Sequence, residues 1–111
     1  MEPRLKADIW VKAYLRACEA QGAAVAIVRR GDIDAGAVLL KVNRLDGTAE
    51  VLSRATRGDG TRVWLRVTGE LPAKETDADA YLARAVSKDP DIWIVEIEDR
   101  QGRHFLTEPV D

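Results

Sequence analysis

Ala37-Val38-Leu39-Leu40-Lys41-Val42-Asn43-Arg44-Leu45-Asp46-Gly47-Thr48-Ala49-Glu50-Val51-Leu52-Ser53-Arg54-Ala55 sets two strand-like runs on either side of Asp46-Gly47. An Asp-Gly pair supplies the positive φ that a short hairpin loop requires, so the stretch reads as two antiparallel strands, 37–44 and 48–55. A two-residue loop places Val42 opposite Val51 and Leu40 opposite Ser53. The face with Val38, Leu40, Val42 and Val51 is then the expected core side. Lys41, Asn43, Glu50 and Arg54 form the other face, expected to meet water although Leu39 and Leu52 share it.

Downstream, Gly58-Asp59-Gly60 marks a second reversal into a strand over 62–68. A three-residue loop sends Val63, Leu65 and Val67 to the core with Val51 and turns Arg62, Trp64 and Arg66 outward. A two-residue loop does the opposite, because a slip of one residue flips every side chain. The three-residue loop avoids burying two arginines and is the expected form. After a connection over 69–74, Thr76 can cap a helix over 77–88, with Asp77 and Asp79 near its positive end. Tyr81, Leu82, Ala85 and Val86 form its apolar stripe, and Pro90 blocks its continuation. Residues 92–99 give the strongest strand signal, and Gln101-Gly102 is expected to fold it back onto a last strand over 103–107.

Upstream, 6–21 has the periodicity of a helix whose polar sector is narrow, with Asp8, Lys12, Arg16 and Glu19 together. Gly22 can end it in a left-handed cap. Residues 23–28 show no polar alternation, which suits a central strand covered on both faces. The predicted order is αββββαββ, a single α+β domain over residues 1–111 with a mainly antiparallel sheet and helices packed on it.

The chain has 111 residues, 46% apolar and 32% charged, with a net charge of −2, values ordinary for a soluble domain. The charge gives no global attraction to nucleic acid or to anionic membranes. Arginine outnumbers lysine twelve to five, which reads as codon bias since the acids offset it. Cys18 stands alone and excludes an intrachain disulfide. No apolar run reaches the ~18–20 residues of a membrane span, and no signal-peptide pattern opens the chain. A cytoplasmic location is the expectation.

Few residues suggest chemistry. A two-residue turn at Gln101-Gly102 would set Asp99 opposite His104, half of a general-base dyad without a nucleophile motif to complete it. The acids Asp89, Asp91, Glu96, Glu98 and Asp99 lack the converging loop that a calcium site needs, and no Cys/His spacing suits zinc. They read as the charges of an edge strand. Neither a metal nor a cofactor is expected. The loop 31–36, preceded by Arg29 and Arg30, could present backbone N–H groups to an anion, but it matches no phosphate-binding fingerprint and reads as a strand connection. Arg62, Trp64 and Arg66 could form an outward face for a protein contact or for stacking on single-stranded bases. Cys18 reads as an inert core thiol.

Several stretches together carry a resemblance: Arg4-Leu5-Lys6-Ala7-Asp8-Ile9-Trp10-Val11, Arg29-Arg30-Gly31-Asp32 with Ala35-Gly36-Ala37-Val38, and Asn43-Arg44-Leu45-Asp46-Gly47. It continues through Asp89-Pro90-Asp91-Ile92-Trp93-Ile94-Val95-Glu96-Ile97-Glu98-Asp99-Arg100 and Gly102-Arg103-His104. The chain resembles a small family of uncharacterised bacterial proteins classed as a domain of unknown function. The resemblance implies a free-standing, bacterial, cytosolic protein and transfers no site residue.

The leading expectation is therefore a non-enzymatic protein-interaction module that associates with itself. The first helix has more apolar circumference than one side of a small sheet can cover, and the short chain holds three tryptophans. The alternatives are an RNA or single-stranded DNA binder using Arg62, Trp64 and Arg66, and a small enzyme centred on Asp99 and His104 with Arg29 and Arg30 for an anionic substrate.

Overall fold

The strand that ends the chain's regular structure lies in the middle of its sheet. The computed structural model describes residues 5–111. Its elements are α1 (Ala7–Ala20), β1 (Ala24–Arg29), β2 (Val38–Asn43), β3 (Thr48–Thr56), β4 (Arg62–Arg66), β5 (Ala73–Lys74), α2 (Glu75–Lys88) and β6 (Trp93–Glu98). The sheet runs β1-β6-β2-β3-β4, with β5 added to the start of β3. Every pairing is antiparallel except that of β2 with β6. This is the expected α+β architecture, with a helix on each face.

The two faces are separated by strand alternation. Val38, Leu40, Val42, Leu52, Trp64, Trp93, Val95 and Ile97 pack with Ala7, Val11, Tyr14 and Cys18 of α1. Leu39, Ala49, Val51 and Ile94 pack with Ala78 and Leu82 of α2. Because both faces are covered, every residue of β2 is buried. Gly22, at φ 79, closes α1: its N–H bonds Glu19 and that of Ala23 bonds Cys18, as a left-handed cap should.

Four expectations change. The first hairpin closes between Arg44 and Thr48, with Leu45 at φ 61 and Gly47 at φ 88, so its loop has three residues. Leu40 therefore pairs with Leu52 and Lys41 with Val51, which moves Val51 to the α2 face and Leu52 to the α1 face. The second hairpin has the expected three-residue loop, closed between Arg57 and Thr61. Trp64 nevertheless points into the α1 core at 0% exposure and Leu65 is 40% exposed, since the shift in the first hairpin reverses the faces of β3 and β4 and sets Trp64 on the same side as Leu40 and Leu52.

The run 23–28, expected to be central, forms the edge strand β1. β6, expected to be a charged edge, is central. The predicted strand over 103–107 is absent because β6 already has a neighbour on each side. The chain instead turns at Gly102 (φ 70) and Phe105 (φ 57) and crosses the α1 face, where Phe105, Leu106 and Val110 pack. It ends along β4: the Trp64 N–H bonds the Pro109 carbonyl and the Asp111 N–H bonds the Trp64 carbonyl, both at 2.8 Å.

Candidate functional site

The glycine loop between β1 and β2 is a clamp. The N–H groups of Ala7 and Asp8, which open α1 without intrahelical partners, donate to the Asp34 and Ile33 carbonyls at 3.1 Å. The Asp32 carboxylate accepts the N–H of Asp34 and of Ala35, and the Trp93 indole donates to the Asp32 carbonyl at 2.7 Å. A Cβ on Gly31 would lie 2.1 Å from the Asp91 carbonyl, and one on Gly36 2.5 Å from it. These glycines let the loop lie against the start of β6. Arg29 donates to the Pro90 carbonyl at 2.8 Å, while Arg30 is exposed. The first-turn N–H groups of Ala7 and Asp8 are thus taken, and Arg29 and Arg30 do not converge with Arg62, Trp64 or Arg66.

Beside this clamp a cleft of about 490 Å³ opens between the start of α1, the end of the loop and the ends of β3 and β4. Its wall includes Lys6, Trp10, Ser53, Arg54, Thr56 and Arg62. Trp10 stacks on Tyr14 with centroids 5.1 Å apart and leans on Trp64 at 5.4 Å. The Arg54 guanidinium lies 4.8 Å from the Trp10 ring centroid and 5.2 Å from that of Trp64, cation–π contacts that fix its direction. Glu108 accepts the Trp64 indole N–H at 3.1 Å and stands 3.8 Å from Arg54. At the rim, Lys6 pairs with Asp34 at 3.5 Å.

Of the residues singled out in the sequence, Arg62 reaches the cleft, and Trp64 lies in the core behind it with no exposed ring to stack on a base. Arg66 is 3.9 Å from Glu50, farther along the sheet. His104 lies near that pair: burial and the Arg66 charge push the imidazole below its ordinary value, and Glu50 pulls weakly the other way. Asp99 accepts the Arg103 N–H at 2.7 Å and the guanidinium at 2.8 Å, which holds its carboxyl below the usual range. The His104 Nδ1 accepts the Leu106 N–H at 3.0 Å. No hydrogen bond or ion pair joins Asp99 to His104, so the expected dyad is not assembled, because the hairpin that would have aligned it does not form.

Sequence reasoning missed two groups. Trp10 and Arg54 were placed on a helix and a solvated strand face, and only the packing of α1 over β3 brings them together. Lys41, also expected in water, is 5% exposed beneath α2, with Glu75 and Asp79 each at 2.7 Å and Glu96 at 3.7 Å. Asn43 donates to Glu75 and Glu96 at 3.0 and 3.1 Å. Burial alone would lower the Lys41 ammonium, but hydrogen bonds to Asp79 and Glu75 and the charge of Glu96 outweigh it and hold the group above its ordinary value. Cys18 is wholly buried, and burial raises its thiol despite a hydrogen bond with Tyr14.

Fold and cleft define a small α+β domain in which α1 and α2 sandwich a six-stranded sheet. The chain belongs to the DUF1491 family of proteins of unknown function, whose pattern it matches over residues 5–107. It is similar to a DUF1491 family protein from Caulobacter crescentus CB15 known by crystallography, with 55% identity over 97% of this chain and 100% of that one and a TM-score of 0.88. The NMR structure of a DUF1491 family protein from the same organism matches with 54% identity, 99% coverage of both chains and a TM-score of 0.84. Protein Atu0922 from A. tumefaciens is 25% identical over 98% of both chains, with a TM-score of 0.79. No curated protein matches the chain. Among the described residues no helix is long and apolar enough to cross a membrane.

Proposed function

We propose that the protein is a non-enzymatic interaction module that pairs with a second copy of itself along the outer edge of β1. The observation carrying this reading is the contrast between the two ends of the sheet. The β4 edge is occupied by residues 109–111, whereas the outer edge of β1 has no strand beside it among the described residues. An open row of backbone donors and acceptors is a template for another strand.

The composition of the edge supports a like partner. Residues 24–27 are Ala-Val-Ala-Ile, so an antiparallel two-fold pairing brings no charges together there. Ala24, Ala26 and Val28 are exposed on the face that α2 leaves bare, Val28 at 57%. A pairing centred on Val25 keeps α1 of both copies on one side of the joined sheet and sets Arg29 of one copy beside Gln21 of the other, at the carbonyl end of α1, where positive charge is favoured. The irregularity between Ile27 and Arg29 confines the pairing to the first part of the strand. A cytosolic setting belongs to this reading, since Cys18 is a free buried thiol with no need of oxidation.

Sedimentation velocity across the micromolar range tests it. Wild type should shift from monomer to dimer with concentration, and Ala26→Lys, exposed on the bare face, should stay monomeric with an unchanged circular-dichroism spectrum. A wild type that remains monomeric throughout overturns the reading.

A further inference from the structure

We infer that the part of the sheet beside α2 docks a basic amphipathic helix of another protein, its apolar face on Ala24, Ala26 and Val28 and its cations against Glu98 and the acids around Lys41. The inference goes beyond self-association, because it uses the face of β1 and not its edge. A sheet of five strands is about 24 Å wide, and one helix covers about 10 Å of it. On the α1 face, Phe105, Leu106 and Val110 extend the cover. On the other face α2 packs on Leu39, Ala49, Val51 and Ile94, and Ala24, Ala26 and Val28 stay exposed.

Shape and charge choose the occupant. The six residues of β1 run about 20 Å, the length of a helix of about fourteen residues. Alanines in the floor let a helix approach closely, as α2 does over Ala49. Ala24 pairs with Glu98 and Ala26 with Glu96, which sets two carboxylates along one border of that floor. No hydrogen bond or ion pair among the described residues engages Glu98. Beside Glu96 on the next strand lies Lys41, whose single ammonium is shared by Glu75, Asp79 and Glu96, so two negative charges are left over. The Asp79 side chain is 55% exposed and that of Glu75 36%, within reach of a docked cation. Arg29, at the far end of the strip, is turned to the Pro90 carbonyl. An acidic border beside an apolar floor complements a helix whose apolar stripe is flanked by lysine or arginine.

The probe is a stapled helical peptide of about fourteen residues, with leucines on one face and lysines along its borders. A counterpart carries glutamates in place of the lysines, and each is titrated into the ¹⁵N-labelled protein. The lysine peptide should bind saturably, one per chain, with amide shifts centred on Ala24, Ala26 and Glu98. Glu98→Lys should weaken it about tenfold through like charge, and Ala24→Lys should do the same by filling the floor. Both positions are exposed, so the circular-dichroism spectra should match wild type. Absence of saturable shifts, shifts centred elsewhere, or affinity untouched by both variants overturns the inference. A glutamate peptide that binds as tightly overturns the part assigned to the acids. Sedimentation of the same samples separates the two proposals: peptide bound to a monomer supports this one and sinks self-association, and a dimer that binds no peptide does the reverse.

Discussion

The Lys41 ammonium and the Asp79 carboxylate meet at 2.7 Å between the sheet and α2, joining a strand to a helix 38 residues later. Glu75 and Glu96 complete the surroundings of the cation. Lys41→Met should lower the unfolding free energy by ~2–3 kcal/mol, less than the ~3–5 kcal/mol of a fully buried pair, because the Asp79 side chain is 55% exposed. Without the cation three carboxylates face one another, and urea titrations of the two proteins at pH 7 read the deficit; an unchanged midpoint would contradict this account.

Trp64→Ala should cost ~3–5 kcal/mol, the usual range for removing a buried large aromatic, while Leu65→Ala should cost under ~1 kcal/mol. The two residues are adjacent, and the contrast reports which face of β4 is inward. Urea midpoints of the two variants decide it.

Gly31→Ala should destabilise by ~1–3 kcal/mol, since the added methyl meets the Asp91 carbonyl and the Trp93 ring. Gly58→Ala, where nothing lies within 4 Å, should be close to neutral. Thermal melts of the pair test whether the clamp depends on close backbone approach.

Leu45 holds φ 61 in the first hairpin loop, a conformation that costs a residue with a Cβ ~1–2 kcal/mol. Leu45→Gly relieves that cost but adds backbone entropy to the unfolded chain, so the expected gain is ~0.5 kcal/mol. A rise in the urea midpoint at unchanged slope is the signature.

The His104 imidazole is held below its ordinary value by burial first and by Arg66 second. The unfolded chain therefore binds the proton more readily, and the neutral-ring contribution, complete above the unfolded value near ~6.5, is lost as pH falls through the folded value. Between pH 7.5 and pH 5 the wild type should lose more stability than His104→Gln, in paired urea titrations at each pH.

How far the fold could be read from the chain differs from element to element. The helices were legible because their apolar stripes repeat at helical spacing, and α1 differs from its expected bounds by one residue at each end. The loop 58–60 was legible in length. The loop at 45–47 was not, because Leu45 has none of the chemistry that marks a left-handed position, and that one residue moved Val51 and Leu52 to opposite faces. β1 and β6 exchanged their expected roles for a similar reason: an uncharged run need not be buried on both sides, and Glu96 can sit in a central strand when Lys41 and Asn43 receive it. Of the candidate site, Arg62 was legible as a surface cation near an aromatic. Trp10 and Arg54 were not, being 44 positions apart in the chain.

Read alone, the chain settled what local forces settle: where helices run, where glycines reverse the backbone, and that no disulfide can form within it. Order of strands, the inward turn of Trp64, the seat of Lys41 and the cleft beside α1 were decided only when distant segments packed. Alternation along a strand distinguishes its two faces but does not say whether one or both will be covered, and here α2 covered the Lys41 and Asn43 face that looked bound for water.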